Sequence, residues 1–283
     1  MPSLTRTVRA ADGTPILTRR WPFSNAIAPD APWAHVLLVH GLGEHSGRYE
    51  QVGEWMATAG LAVHSYDQRG NGASGGRRGH VDLWSQLHDD LTERVAAVTA
   101  DARSRPVALY GHSLGGLVVA GYCLSETPRP QPDLVVLSSP GLDSTLADWK
   151  KRLATVLGRF TPTLGLPNGV DGNTLSRDPS VAERLAKDPL CATTSTFLFG
   201  AEGMQEQERV RGIAARGLGV PTLVLHGEDD GLVPEEASRV FEGAPGVTRR
   251  TYPGLRHELH NEPEGEAIIT EVVAWLRERV RKG

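Results

Sequence analysis

Cysteine is almost missing from this chain: among 283 residues only Cys123 and Cys191 carry a thiol. Cys123 falls inside an expected helix and Cys191 in a distant segment. Two separate thiols in a reducing compartment are expected, not a disulfide framework. Long apolar runs are missing too. No stretch reaches the roughly 18 residues of a membrane-crossing helix, and the opening MPSLTRTVRAADGTP has no apolar core of signal-peptide length. A soluble, unexported, cytoplasmic chain is the expectation. Positive charge is not in excess. Lys and Arg number 30 against 34 Asp and Glu, for a net charge of -4. Nucleic acid, which needs a basic footprint, is not expected as a partner. Internal repeats and low-complexity tracts are absent as well.

What is present is ordinary globular material, 39% hydrophobic and 23% charged. The length suits one large domain, or one domain with a sizeable insertion. Thr5 to Trp21 reads as a hairpin turning at Asp12-Gly13, followed by a loop with Pro22, Pro29 and Pro32. Continuous apolar runs at 34–40, 61–67, 106–113, 133–140 and 220–227 read as buried strands, and 248–254 as the last strand. Helical spacing links Tyr49, Val52, Trp55, Met56 and Ala59, with Gly60 as the stop. It recurs at Trp84, Leu87, Leu91, Val95 and Val98, over 114–124, and from Ile268 to Val280. Strand and helix alternate, so the fold class is α/β with a mainly parallel sheet flanked by helices. The rhythm breaks between 142 and 213. Residues 1–141 and 214–283 are therefore expected to form the core, with 142–213 an inserted, mostly helical cap.

Gly111-His112-Ser113-Leu114-Gly115 is a G-x-S-x-G between a strand and a helix, the context in which that motif forms a sharp nucleophile turn. Glycine two residues before and after the serine removes side chains that would collide there. Ser113 then sits at a helix N-terminus, where backbone amides and the helix dipole favour negative charge. A serine hydroxyl needs a base, and this arrangement takes its partners in the order Ser, Asp, His. Asp229 and Asp230 follow one strand; His257 and His260 follow the last. Either aspartate could face the histidine, and one of the two histidines is a packing or surface residue. The expected reading is His257 as base, oriented by Asp230. Two backbone amides should hold an oxyanion: Leu114, after the nucleophile, and Leu42, in the turn His40-Gly41-Leu42-Gly43. No metal or cofactor is expected. HELH (257–260) lacks the spacing of H-E-x-x-H. Gly70 to Gly75 matches G-x-G-x-x-G in letters, but no helix opens there to hold a dinucleotide.

These blocks together, HGLGEHSGRY (40–49), DQRGNGASGG (67–76), GHSLGG (111–116), GEDDGLVP (227–234) and YPGLRHELHNEP (252–263), resemble the monoacylglycerol lipase and lysophospholipase group of α/β-hydrolases. The resemblance covers most of the chain and is weakest over 142–213. It implies an α/β-hydrolase fold with Ser113 as nucleophile. It favours Asp230 over Asp229 through the G-x-x-D spacing from Gly227, favours His257 over His260 through H-E-L, and places an oxyanion amide at Leu42. It also implies a serine esterase acting through an acyl-enzyme on monoacylglycerols or related lipid esters. A short-chain or broad carboxylesterase, a lysophospholipase or a non-catalytic ligand-binding protein stand as alternatives. Trp149, Leu153, Val156, Leu157, Phe160 and Leu164 form an apolar helical face. It reads as an acyl tunnel or a lid in transient contact with a membrane surface, or equally as a cap helix packed on the body. Lys150, Lys151 and Arg152 beside it read as a contact for anionic headgroups or as solvated surface.

Overall fold

The computed structural model describes residues 2–23 and 31–281, the side chains of Asp148, Lys150 and Arg152 excepted. Pro29, in the expected loop, lies outside the described residues. Strands β1 (Leu4–Arg9) and β2 (Pro15–Trp21) form the antiparallel hairpin, and Thr14 N–H donates to Asp12 Oδ1 in its turn. Then come β3 (His35–Val39), β4 (Ala62–Tyr66), β5 (Val107–His112) and β6 (Leu134–Ser138). A short antiparallel ribbon, β7 (Gly165–Pro167) with β8 (Thr194–Thr196), stands apart, and β9 (Thr222–Gly227) and β10 (Val247–Tyr252) return to the main sheet. The eight main strands lie in the order β1-β2-β4-β3-β5-β6-β9-β10. Pairing is parallel from β4 through β10.

The helices are α1 (Glu50–Thr58), α2 (Ser85–Ala102), α3 (Leu114–Cys123), α4 (Asp148–Phe160), α5 (Gly172–Leu175), α6 (Pro179–Lys187), α7 (Phe197–Ile213) and α8 (Gly265–Val280), of which α1 and α8 cover one face of the sheet and α2 and α3 the other. The strand period of two divides the core into halves. Val36 and Leu38 of β3 pack with α1 and α8, while Leu37 and Val39 pack with α2 and α3. Strands β3, β5, β6 and β9 are buried at every position. That is why they read as unbroken apolar runs rather than alternating ones.

Within 142–213 the structure holds α4 to α7 and the β7–β8 ribbon, so the segment carries a little strand that its sequence does not announce. Its last helix differs from the rest. Phe199 and Val210 of α7 belong to the main core. Arg209 donates to Leu124 O and Gly121 O at the end of α3. By contrast α4 packs against α7 and leaves Trp149, Val156 and Phe160 exposed.

The edge of the sheet where β3 and β5 end depends on one close approach. A Cβ at Gly115 would stand 2.1 Å from Val39 O and 2.5 Å from His40 O. Both are backbone atoms that cannot turn aside. Gly115→Ala is expected to cost about 1–3 kcal/mol through overpacking. The loss should appear as a thermal midpoint several degrees below that of the parent; an unchanged midpoint would mean that α3 slides freely on β3.

Candidate active site

Ser113 lies between β5 and α3 with φ 53° and ψ -120°, backbone that a residue with a Cβ adopts only when its surroundings impose it. They do so here. Ser113 N–H donates to Ser138 O at 3.0 Å, and Ser113 O accepts from Gly141 N at 2.8 Å and Leu117 N at 3.1 Å. The turn is thus tied to the end of β6 on one side and to α3 on the other.

From the hydroxyl a chain of hydrogen bonds runs across the sheet edge. Ser113 Oγ–H donates to His257 Nε2 at 2.8 Å, and His257 Nδ1–H donates to Asp230 Oδ2 at 2.6 Å. An ionised carboxylate only accepts, which fixes the proton on Nδ1 and leaves the Nε2 lone pair for the serine. Asp230 is buried, and its Oδ1 accepts from Leu232 N and Val233 N, both at 2.9 Å. Burial alone would raise its pKa. The His257 charge, the bonds from His226 and His257 and the Val233 amide outweigh that and hold it well below the carboxylate range. Burial likewise pulls His257 down, but the Asp230 charge and hydrogen bond carry its pKa above the ordinary histidine value. The two loops can meet because β9 and β10 are neighbours and nothing separates them. A Cβ at Gly227 would stand 2.3 Å from Arg256 O.

The rival residues point elsewhere. Asp229 is exposed, and only its backbone is held, to Leu255 O. His260 is buried between the rings of Tyr49 and His112. Burial, with His257 and His260 nearby, pushes His112 down to about 3. Gly70 to Gly75 forms turns closed by Gly70 N–H on Gly75 O, and the next helix, α2, opens only at Ser85.

Leu42 and Leu114 both border the cavity beside Ser113. Leu114 is the first residue of α3, where N–H groups have no partner within the helix. The cavity measures about 270 Å³. Leu146, Val170, Leu175 and Leu185, all from the 142–213 segment, form its apolar side. Larger cavities of about 490 and 520 Å³ open elsewhere, and Ser113 borders neither.

The polar side was not foreseen. Glu44 and Glu258, both buried, and the half-buried Arg48 line it as a cluster. Arg48 donates to Glu44 Oε2 at 2.6 Å and, bidentate, to both oxygens of Glu258 at 2.7 and 2.9 Å. Burial would raise both carboxyls, but the shared guanidinium holds them low. The four-residue spacing of Glu44 and Arg48 was a signal in the sequence; that Glu258 completes the group was not. His226, whose Nε2 donates to Val233 O at 3.1 Å and lies 3.2 Å from Asp230 Oδ2, was likewise missed. Of the expected basic trio, Lys151 is held by Asp143 at 2.7 Å. The side chains of Lys150 and Arg152 lie outside the described set.

The profile of a family described as serine aminopeptidase, S33, matches residues 30–264. A monoacylglycerol lipase of Mycolicibacterium smegmatis is 33% identical over 260 residues, covering 88% of this chain and 90% of its own. The crystal structure of Paleococcus ferrophilus monoacylglycerol lipase superposes with a TM-score of 0.79 at 34% identity, over 92% of this chain and 98% of that one. A soluble variant of monoglyceride lipase from Saccharomyces cerevisiae, in complex with a substrate analog, reaches 0.89 at 21% identity, over 99% and 96%; at that identity the likeness speaks for the fold.

The His257 ring is expected to titrate above the ordinary histidine range, and Asp230→Asn should lower its midpoint. Proton NMR of the ring across pH checks this. A midpoint that does not move would mean that the Asp230 charge is not felt at the imidazole.

Proposed function

The chain belongs to the Hydrolase_4 family, serine aminopeptidase S33, and from that premise we propose a carboxylic ester hydrolase that works through an acyl-enzyme, with monoacylglycerols or related lipid esters as substrates. The observation that carries the reading is the unbroken chain from Ser113 through His257 to Asp230, lying beside a partly apolar cavity.

In this reading Ser113 Oγ attacks the ester carbonyl while His257 Nε2 takes its proton. The carbonyl oxygen, now negative, is received by the Leu42 and Leu114 N–H groups. Collapse of the adduct breaks the bond to the alcohol, which takes the proton from His257. Water, deprotonated by the same nitrogen, then attacks the acyl-enzyme and releases the acid. Asp230 stabilises the imidazolium in both halves and is not itself protonated. The strained turn at Ser113 supports the role of nucleophile, since it holds the hydroxyl clear of the strand.

Lipid esters are favoured by the leucines over the cavity and by the relatives' names. One observation favours the alternative of a short-chain or broad carboxylesterase. A cavity of about 270 Å³ is at or below the low end of ordinary ligand pockets, about 300–1,000 Å³. A long acyl chain would need the segment over the cavity to move. The exposed Trp149, Val156, Phe160 and Leu164 give that segment an apolar outer surface suited to lie on a membrane. No described helix is long and apolar enough to cross one.

Ser113→Ala should lower ester turnover by ~10⁴–10⁶-fold with an unchanged circular dichroism spectrum; parent-level turnover would remove Ser113 from the mechanism. Initial rates on matched glycerol monoesters of increasing chain length should peak at medium or long chains. A peak at the shortest chains would select the esterase alternative. Trp149→Ser with Phe160→Ser should weaken co-sedimentation with zwitterionic vesicles and leave turnover of a soluble short ester unchanged.

A further inference from the structure

An oxyanion donor made of backbone cannot be aimed by choosing a side chain at its own position. Whatever orients it must hold the peptide plane from outside. In the turn after β3 the two peptide planes flanking Gly41 are each gripped by a buried side chain. The Gly41 N–H donates to Glu44 Oε1. The Gly41 carbonyl accepts from His40 Nδ1 at 2.8 Å. The proton on His40 can be located, because Gln68 N–H donates into its Nε2 at 2.9 Å, so Nε2 is the bare nitrogen and Nδ1 carries the hydrogen. A trans peptide sets its C=O and N–H in opposite directions. A grip on Gly41 O therefore fixes the direction of the N–H on the far side of the same plane, which is that of Leu42. Gly41 also abuts the nucleophile: a Cβ there would stand 3.1 Å from Ser113 Cβ.

We propose that His40 and Glu44 are positioning residues, His40 holding the Gly41–Leu42 peptide and Glu44 the His40–Gly41 peptide before it, so that the Leu42 N–H receives the oxyanion, an inference that rests on the ester-hydrolase reading above. His40 is fully buried, and burial keeps it neutral, as a ring that accepts at Nε2 must be. Glu44 is itself immobilised, by Tyr49 O–H at 2.7 Å and by Arg48. Through Arg48 and Glu258 the same network reaches the residue next to His257. The oxyanion turn and the base loop are thereby set by one buried group of charges.

Two near-isosteric replacements separate positioning from filling. His40→Asn puts an amide N–H where Nδ1 was and can still donate to Gly41 O. His40→Gln matches the histidine volume better but carries its amide out to the Nε2 position. Each is assayed for kcat and KM on an ester the parent cleaves. Each is also tested for binding of an alkylboronic acid, whose adduct with Ser113 mimics the tetrahedral intermediate, and of the corresponding alkyl ether, which does not. The expected result is near-parental behaviour for His40→Asn. For His40→Gln a loss of ~10–100-fold is expected in kcat and in boronate affinity alike, with KM and ether affinity little changed; complete loss of such a donor costs ~10²–10³-fold. Glu44→Ala should likewise lower kcat and boronate affinity together, with KM and ether affinity little changed. If His40→Gln equals or exceeds His40→Asn, or if boronate and ether affinities fall together, the positioning role is overturned. A parent that neither cleaves any ester nor binds the boronate would instead bring down the ester-hydrolase reading itself.

Discussion

Where α3 begins, its backbone rests directly on the carbonyls that end β3, with no side chain between them. That contact, possible only at Gly115, determines how near the serine turn comes to the turn after β3. Everything assembled at this edge depends on it. Parallel pairing brings the C-terminal ends of β3, β5, β6, β9 and β10 to one side, where open α/β sheets build their sites. The strained Ser113 is then affordable because its neighbours on three segments hold it from outside.

Buried charge is the second organising element. Glu44 and Glu258 lie out of water and share Arg48, itself largely covered, two negative charges and one positive. Such a group stabilises little in itself, since desolvation offsets most of its attraction, but losing one member is costly. Its value is geometric, since it joins a turn near residue 44 to a loop near residue 258. It also leaves a net negative charge near His257, which adds to the effect of Asp230 on the imidazole.

The architecture was legible because its signals are local. Unbroken apolar runs marked β3, β5, β6 and β9, and helical spacing marked α1, α2 and α8. The residues at the site were legible for a different reason: Ser113, Asp230 and His257 each follow a strand closely, so topology alone brings them near one another. The sequence did not decide between Asp229 and Asp230 without the family resemblance, because adjacent residues in a turn have no period to separate them. The Glu44–Arg48–Glu258 group was invisible for a stronger reason, since its third member is 210 positions away from its second. The short β7 and β8 escaped notice because three-residue strands, β7 exposed throughout and β8 buried only at Thr196, bury too little to leave a pattern.

Six histidines, His35, His40, His64, His88, His112 and His260, have pKa values lowered below the ordinary value, with burial the leading cause in each. In the unfolded chain each would take up a proton near pH 6.5. Below that pH the unfolded state therefore binds more protons than the folded one, and stability falls by up to about 1.4 kcal/mol per pH unit for each such group until its folded pKa is reached. His257 has the opposite sign but is one ring against six. Mild acid thus bears on the protein twice, by charging the His257 ring and by lowering the stability that the six neutral rings share. The burial that packs these rings ties part of the fold's stability to their remaining neutral.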